Sequence, residues 1–402
     1  MSLALEYRRC ATRYFAARAV SATRTGARLA GALAGNVAPL RLVEQVDPAP
    51  PDESWTRVEP VLSGICGSDL GLLTGRSSPY LGPLTSMPFV MGHEVVGRTV
   101  DELPGLPRGS RVVIDPVLRC AARGLPPCPA CLSGHTGRCD GITTGRLAAG
   151  LQTGFCADTG GGWSRRMLAH ASQLHPVPDS LPDEIAVLVE PLACAVHAAR
   201  RVLINPGASV LVIGAGTVGL LTLLALRKLT AAGEVQVIAK HRHQADRARE
   251  LGATQVIGTE STARALRRST AALLVEPELG DGYLLGGMDM AFECTGGSAG
   301  LNTALRSLRA GGTVVTSGMP AGGVDLTPLW YRELHLVGAY ASAIGEEPDR
   351  GDFPTAIALA TTAPLDGYVD TKYPLDQWRD AVDHAAAAGR LGTIKVVFAP
   401  GR

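Results

Sequence analysis

Ser209-Val-Leu-Val-Ile-Gly214-Ala-Gly216-Thr-Val-Gly219-Leu-Leu-Thr-Leu-Leu-Ala-Leu-Arg-Lys-Leu229 is the stretch on which the reading of the chain turns. Ser209–Ile213 is a short apolar run of the kind that makes a strand buried on both faces. Gly214–Gly219 is a glycine turn, and Leu220–Leu229 is a helix-like apolar stretch. The turn fits G-x-G-x-x-G. In a chain with 48 glycines that pattern means little unless it joins a strand to a helix, as it does here. Gly214 permits the tight turn, Gly216 lets the backbone approach a pyrophosphate, and Gly219 allows close helix–strand packing. Thr217 and Val218 open the helix, whose free N–H groups attract phosphate. A dinucleotide site is predicted.

Further strands are predicted at Val235–Ala239, Thr254–Ile257, Met288–Glu293, Thr313–Ser317 and Leu334–Tyr340, with helices at Gln244–Leu251 and Ala299–Arg309. Strand–helix alternation predicts an α/β domain with a doubly wound parallel sheet, of Rossmann type, over residues 189–340. Residues 1–188 are rich in Gly, Pro and turn signals, with β-like runs at Phe89–Val100 and Ser110–Ile114. They are expected to form a mainly β domain. The tail, 341–402, carries helices at Phe353–Ala363 and Asp380–Arg390 and a closing strand at Ile394–Phe398 that returns to that first domain.

An acid about 20 residues beyond the glycine turn would take the adenosine ribose hydroxyls. This chain has Ala239-Lys240-His241-Arg242-His243 there, and no carboxylate before Asp246. Lys240 and Arg242 would attract a 2′-phosphate, so NADP(H) is expected over NAD(H). Thr295-Gly296-Gly297, at the end of a later strand, is expected to offer backbone contact to the cofactor.

Thirty-eight basic and 37 acidic side chains leave a net charge of +1, no electrostatic footprint for nucleic acid. Forty-six per cent apolar residues exclude a disordered chain. No apolar run reaches the roughly 18 residues that span a bilayer, and no membrane partner is expected. Residues 1–35 hold many arginines and no acid except Glu6, as a mitochondrial presequence would. Almost every basic residue of the whole chain is Arg, however, so the segment is read as a first strand and turn containing Tyr14, Phe15 and Val20, and the compartment as the cytoplasm.

Nine cysteines are too few for a disulfide scaffold in 402 residues. Four of them cluster: Cys128-x2-Cys131-x7-Cys139, with Cys120 the nearest fourth. The set suits a closed tetrahedral thiolate zinc site in a lobe at about 118–141, although His135 is an alternative to Cys120. Cys156, Cys194 and Cys294 lack partners at ligand spacing and are expected to be inert. Three dispersed segments complete the chemistry: Gly64-Ile-Cys66-Gly-Ser68-Asp69, Gly92-His93-Glu94 and Glu190-Pro191-Leu192.

In this order and combination the segments resemble the zinc-dependent medium-chain dehydrogenases, the alcohol dehydrogenase family, over nearly the whole chain. The branch with sorbitol, glucose and threonine dehydrogenases is most similar, since an acid followed by proline stands there in place of the third-ligand cysteine. The resemblance implies a GroES-like catalytic domain beside the Rossmann domain, and hydride transfer between NAD(P) and an alcohol or polyol or its carbonyl product. It also implies a catalytic zinc on Cys66 and His93, with Glu94 a direct or switching ligand and Glu190 bound directly or through water. Asp69 would orient His93, and Ser68 would be the first group of a proton relay. Relatives usually pair their sheet domains edge to edge, so a homodimer or homotetramer is expected, with Leu334–Tyr340 as the pairing strand.

Three positions depart from the family pattern. Cys120 lies eight residues before Cys128 where three is usual, Gly71 stands where many relatives carry a relay histidine, and Ala239 replaces the cofactor acid. Two other readings compete: a zinc-free enone or quinone reductase of the same superfamily, and a non-catalytic cofactor-binding scaffold. The first has no use for Cys66, His93, Glu94 and Glu190 together. The second gains nothing from a metal site with an open position.

Overall fold

The computed structural model describes residues 2–8, 12, 38–260, 262–319, 322–345 and 347–401. The strand and turn expected around Tyr14, Phe15 and Val20 lie outside the described residues, as does Cys10. The chain divides into two compact units, Met1–Glu190 with Ser342–Arg402, and Pro191–Ala341.

The first unit begins with β1 (Ser2–Tyr7), β2 (Leu40–Gln45), β3 (Trp55–Gly64), β4 (Phe89–Val90), β5 (Val95–Thr99), β6 (Arg111–Ile114), β7 (Met167–His170) and β8 (Leu174–Pro176). The run Phe89–Val100, read as one β-like stretch, is in fact two strands. β4 lies on β1, in a sheet separate from the one that holds β5, and the residues between the two strands carry His93 and Glu94.

The second unit holds β9 (Val210–Ile213), β10 (Val235–Ile238), β11 (Gln255–Ile257), β12 (Leu273–Val275), β13 (Tyr283–Leu285), β14 (Met288–Glu293), β15 (Leu308–Thr316) and β16 (His335–Gly338). Six of these strands form a wholly parallel sheet in the order β11-β10-β9-β14-β15-β16. That is the doubly wound order, and its direction reverses between β9 and β14. Every residue of β9 and β10 is buried, as a strand covered by helices on both faces requires. The helix Thr217–Leu229 buries Gly219–Leu226. The hairpin β12–β13 was not anticipated, since runs of three residues are too short to carry a period.

The chain then returns to the first unit with β17 (Val369–Tyr373), the helix Trp378–Leu391 and β18 (Lys395–Phe398). β18 pairs antiparallel with β3, Val397 opposite Gly64 and Phe398 opposite Ser63, as expected of a closing strand. The resulting sheet runs β17-β18-β3-β5-β6-β8, with β7 also on β3. Leu5, Phe89, Met91, Trp163, Trp378 and Phe398 share one core, which ties the first and last strands together. No helix among the described residues is long and apolar enough to cross a membrane.

Candidate functional site

β3 ends at Gly64, and two residues on, Cys66 caps the helix Gly67–Leu73. The Gly64 amide donates to the Glu94 carbonyl at 2.8 Å, which brings the segment 91–94 between β4 and β5 against this turn. Cys66, His93 and Glu94 thereby present one donor atom each, all within 4.8 Å of one another. His93 and Glu94 are buried, 4 % and 1 % exposed. Asp69, on the same short helix, accepts the Cys66 amide at 2.9 Å through Oδ2, and its Oδ1 lies 3.5 Å from His93 Nδ1. Ser68, in the first turn, is half-buried.

The cluster calls for a cation. Burial opposes protonation of His93, but Asp69 and Cys66 outweigh it and raise the imidazole well above its ordinary range. A thiol, an imidazole and a carboxylate converging at this range are the donor chemistry of zinc at about 2.0–2.3 Å from each ligand. Glu190 stands apart. It is buried in the first turn of the helix Val189–Arg200 and is not among the three converging donors. Its charge does act on the ammonium of Lys395, which is ion-paired with Glu94. Nothing in the sequence singled out Lys395; its only signal was a rare lysine in an otherwise apolar strand.

Cys120, Cys128, Cys131 and Cys139 form a second cluster, with all four sulfurs within 4.8 Å of one another. Cys120 Sγ lies 3.5 Å from Cys139 Sγ, and Cys128 Sγ 4.0 Å. Tetrahedral zinc at 2.3 Å from each sulfur puts the sulfurs about 3.8 Å apart, so this set fits it. The eight-residue spacing is accommodated because the inserted loop folds back, bringing the Cys128 amide 3.4 Å from Cys120 Sγ. His135 is exposed and outside the set. Burial pushes the Cys128 thiol up, but donors from the Asp140 and Cys131 backbone and the neighbouring thiols bring it down to about 6. Cys131 and Cys139 are raised by burial. Arg123, wholly buried, anchors the inserted loop by donating to the carbonyls of Leu118, Thr144, Leu147, Ala148 and Gly150.

In the second unit the glycine turn follows β9 at the point where the sheet reverses direction. A Cβ on Gly219 would stand 1.8 Å from the Gly214 carbonyl oxygen, so the helix approaches the strand as closely as backbone allows. A Cβ on Gly216, by contrast, would meet nothing within 4 Å. The space in front of it is open, beside the first turn of the helix at Thr217 and Val218, which suits an incoming phosphate. Thr295 packs against Gly214, and its turn is held by Glu293, which accepts the Thr295 and Gly296 amides at 2.8 and 3.1 Å. Burial pushes the Cys294 thiol up to about 12.

Ala239, Lys240, His241, Arg242, Asp246 and Arg249 line a pocket of about 470 Å³. Asp246 enters it, but Arg249 binds that carboxylate at 2.7 Å and Arg242 stands 3.9 Å from it. The pocket therefore keeps a positive balance. Arg249 was legible only as a residue three positions from Asp246 on a helix.

Residues 52–179 match the family model of the alcohol dehydrogenase GroES-like domain, and residues 217–362 that of the zinc-binding dehydrogenases. The sorbitol dehydrogenase of Bacillus subtilis is 28 % identical over 357 residues, 84 % of this chain and 88 % of that one. The L-idonate 5-dehydrogenase of Vitis vinifera is 30 % identical over 284 residues, 69 % and 70 % of the two chains. A zinc-binding dehydrogenase from Sinorhizobium meliloti, solved bound to NADP, superposes with a TM-score of 0.68 at 26 % identity, over 91 % of this chain and 97 % of that one. The chain belongs to the zinc-type medium-chain alcohol dehydrogenases, in the sorbitol dehydrogenase-like branch, and is an oxidoreductase that acts on CH–OH groups.

Proposed function

We propose that this chain is a zinc-dependent dehydrogenase interconverting a small polyol or alcohol and its carbonyl compound, with NADP(H) preferred over NAD(H). The convergence of Cys66, His93 and Glu94 in one buried cluster carries the reading. These three residues would hold a catalytic zinc, and Glu190 would join them directly or through water. When bound, zinc supplies a Lewis acid that acidifies a substrate hydroxyl, and the nicotinamide supplies the hydride acceptor or donor.

The protein's own part is alignment and proton handling. Asp69 orients two proposed ligands at once, through the Cys66 amide and the His93 ring. Ser68 would take the proton leaving the substrate hydroxyl and pass it on. A serine is too weak a base to keep it, so its role is that of a conduit. Gly71 carries no side chain to continue the relay, which would run on through water or another group.

Cys120, Cys128, Cys131 and Cys139 would hold a second zinc. Four thiolates leave no position for substrate, so that ion would order the 118–141 lobe, whose Leu118 and Ala122 pack into a core shared with Trp55, Leu147 and Leu168. Lys240, Arg242 and Arg249 would receive a 2′-phosphate, Gly214–Gly219 the pyrophosphate, Ala239 the adenosine side, and the Thr295 turn the nicotinamide end. Residues 1–188 and 341–402 would be the catalytic domain and 189–340 the cofactor domain. We place the enzyme in the cytoplasm as a homodimer or homotetramer; the partly exposed edge strand β16, with Leu336 and nearby Tyr340, offers a pairing surface.

Two measurements test the proposal. Metal analysis is expected to give about two zinc per chain. A polyol panel is expected to drive reduction of NADP⁺, followed by absorbance at the nicotinamide band. A zinc-free protein that reduces enones or quinones, or one that binds NADPH and turns nothing over, would replace the proposal with the superfamily reductase or the scaffold.

A further inference from the structure

The last strand of the first unit delivers a buried cation to the candidate active site. Lys395, first residue of β18, is 3 % exposed, and its ammonium is ion-paired with Glu94 Oε2 and donates to the Ile65 carbonyl at 3.1 Å. Ile65 directly precedes Cys66, so the cation is fixed to the turn that presents the thiol. The approach is built into the backbone. A Cβ on Gly64 would stand 1.8 Å from Glu94 Oε2 and 2.7 Å from Lys395 Cε, so any side chain there would push the pair aside.

We propose that Lys395 is a positioning residue that holds one oxygen of Glu94 away from the catalytic metal and so keeps a coordination position open for the substrate oxygen. This rests on the reading of Cys66, His93 and Glu94 as holders of zinc. A buried carboxylate without a partner takes whatever cation is near. With Lys395 present, Glu94 is shared between ammonium and metal. Without it, the carboxylate has only the metal to answer its charge, and it closes the site. The Ile65 carbonyl bond sets where the ammonium stands, and hence how far Glu94 can lean.

The test is the rate at which a chromophoric chelator withdraws zinc from the holoenzyme, together with kcat. The catalytic zinc is identified as the phase lost in Cys66→Ala, and the four-cysteine phase serves as an internal check of folding. Lys395→Gln, which keeps a donor for the Ile65 carbonyl, is expected to slow catalytic-zinc withdrawal at least about tenfold and to lower kcat at full zinc occupancy. Lys395→Arg is expected to restore both. In a Glu94→Gln background, adding Lys395→Gln is expected to change nothing. Withdrawal as fast as wild type in Lys395→Gln, or faster, with the four-cysteine phase intact, would overturn the proposal and leave Lys395 a plain counter-ion. Should Lys395→Gln not fold, the Glu94→Gln pair decides, since neither member leaves an uncompensated carboxylate; a Lys395 effect persisting there overturns the proposal equally. If Glu94→Gln itself leaves zinc withdrawal untouched, it is the ligand reading of Glu94 that fails.

Discussion

Asp69 reaches His93 and Cys66 from the same short helix: Oδ1 lies 3.5 Å from His93 Nδ1 while Oδ2 accepts the Cys66 amide at 2.9 Å. One wholly buried carboxylate thus lies against two proposed metal ligands and, in the proposed function, would orient both. Asp69→Asn keeps the shape but lowers the basicity passed to the imidazole. Zinc retention or kcat/KM is expected to fall about 10- to 100-fold. Binding of NADPH, measured by fluorescence, should stay within about twofold. Unchanged zinc retention and activity would remove Asp69 from its positioning role.

Cys66→Ala removes a thiolate from the three-donor cluster without altering the second unit. Turnover is expected to vanish, zinc to fall from about two to about one per chain, and NADPH binding to remain measurable. Full activity in this variant would refute the catalytic assignment outright.

Cys120→Ala tests the four-cysteine lobe. A closed thiolate set that loses one corner is expected to lose its ion, leaving about one zinc per chain and lowering Tm by roughly 5 °C or more. Two zinc per chain with an unchanged Tm would show that three cysteines suffice.

The parallel sheet was legible because its strands are buried on both faces and so read as unbroken apolar runs, as Val210–Ile213 and Val235–Ile238 do. The candidate metal donors were legible through their local companions, Gly92 before His93 and Asp69 after Cys66, and through family resemblance. Lys395 escaped because its partners lie some 300 residues earlier, and no periodicity links a closing strand to a turn so distant. The interruption of Phe89–Val100 escaped for a related reason: β4 takes its partner from β1, far earlier in the chain, while β5 pairs with β3 and β6 in another sheet. Whether Cys120 or His135 stood fourth beside the other cysteines was open in the spacing; the fold of the inserted loop, anchored on Arg123, brings Cys120 to them.

His170 is expected to give stability a pH dependence. Burial, then the charges of Arg119 and Arg146, bring its pKa down to about 4 in the folded chain, while the unfolded chain protonates near its ordinary 6.5. Above that value both states are neutral and stability is complete. Between pH 6.5 and 4 only the unfolded chain takes the proton, so stability drains as pH falls through that window. His170→Gln is expected to narrow the gap in urea midpoint between pH 7.5 and pH 5, measured with zinc in excess. An equal gap in both proteins would assign the acid sensitivity elsewhere.

In the proposed function Lys240 and Arg242 would carry the cofactor preference. Their pocket contains one acid, Asp246, which Arg249 binds at 2.7 Å and Arg242 approaches at 3.9 Å, so with Lys240 the three cations keep a positive balance for an incoming phosphate. A charge-assisted bond to phosphate is worth roughly 1.5–3 kcal/mol, about ten- to a hundredfold in binding. The double variant Lys240→Ala, Arg242→Ala is expected to raise KM for NADP⁺ by at least about tenfold. KM for NAD⁺, which has no 2′-phosphate to lose, should move less than about twofold. Equal increases for the two cofactors would mean that these side chains only shape the pocket, and the preference would have to be sought in Arg249.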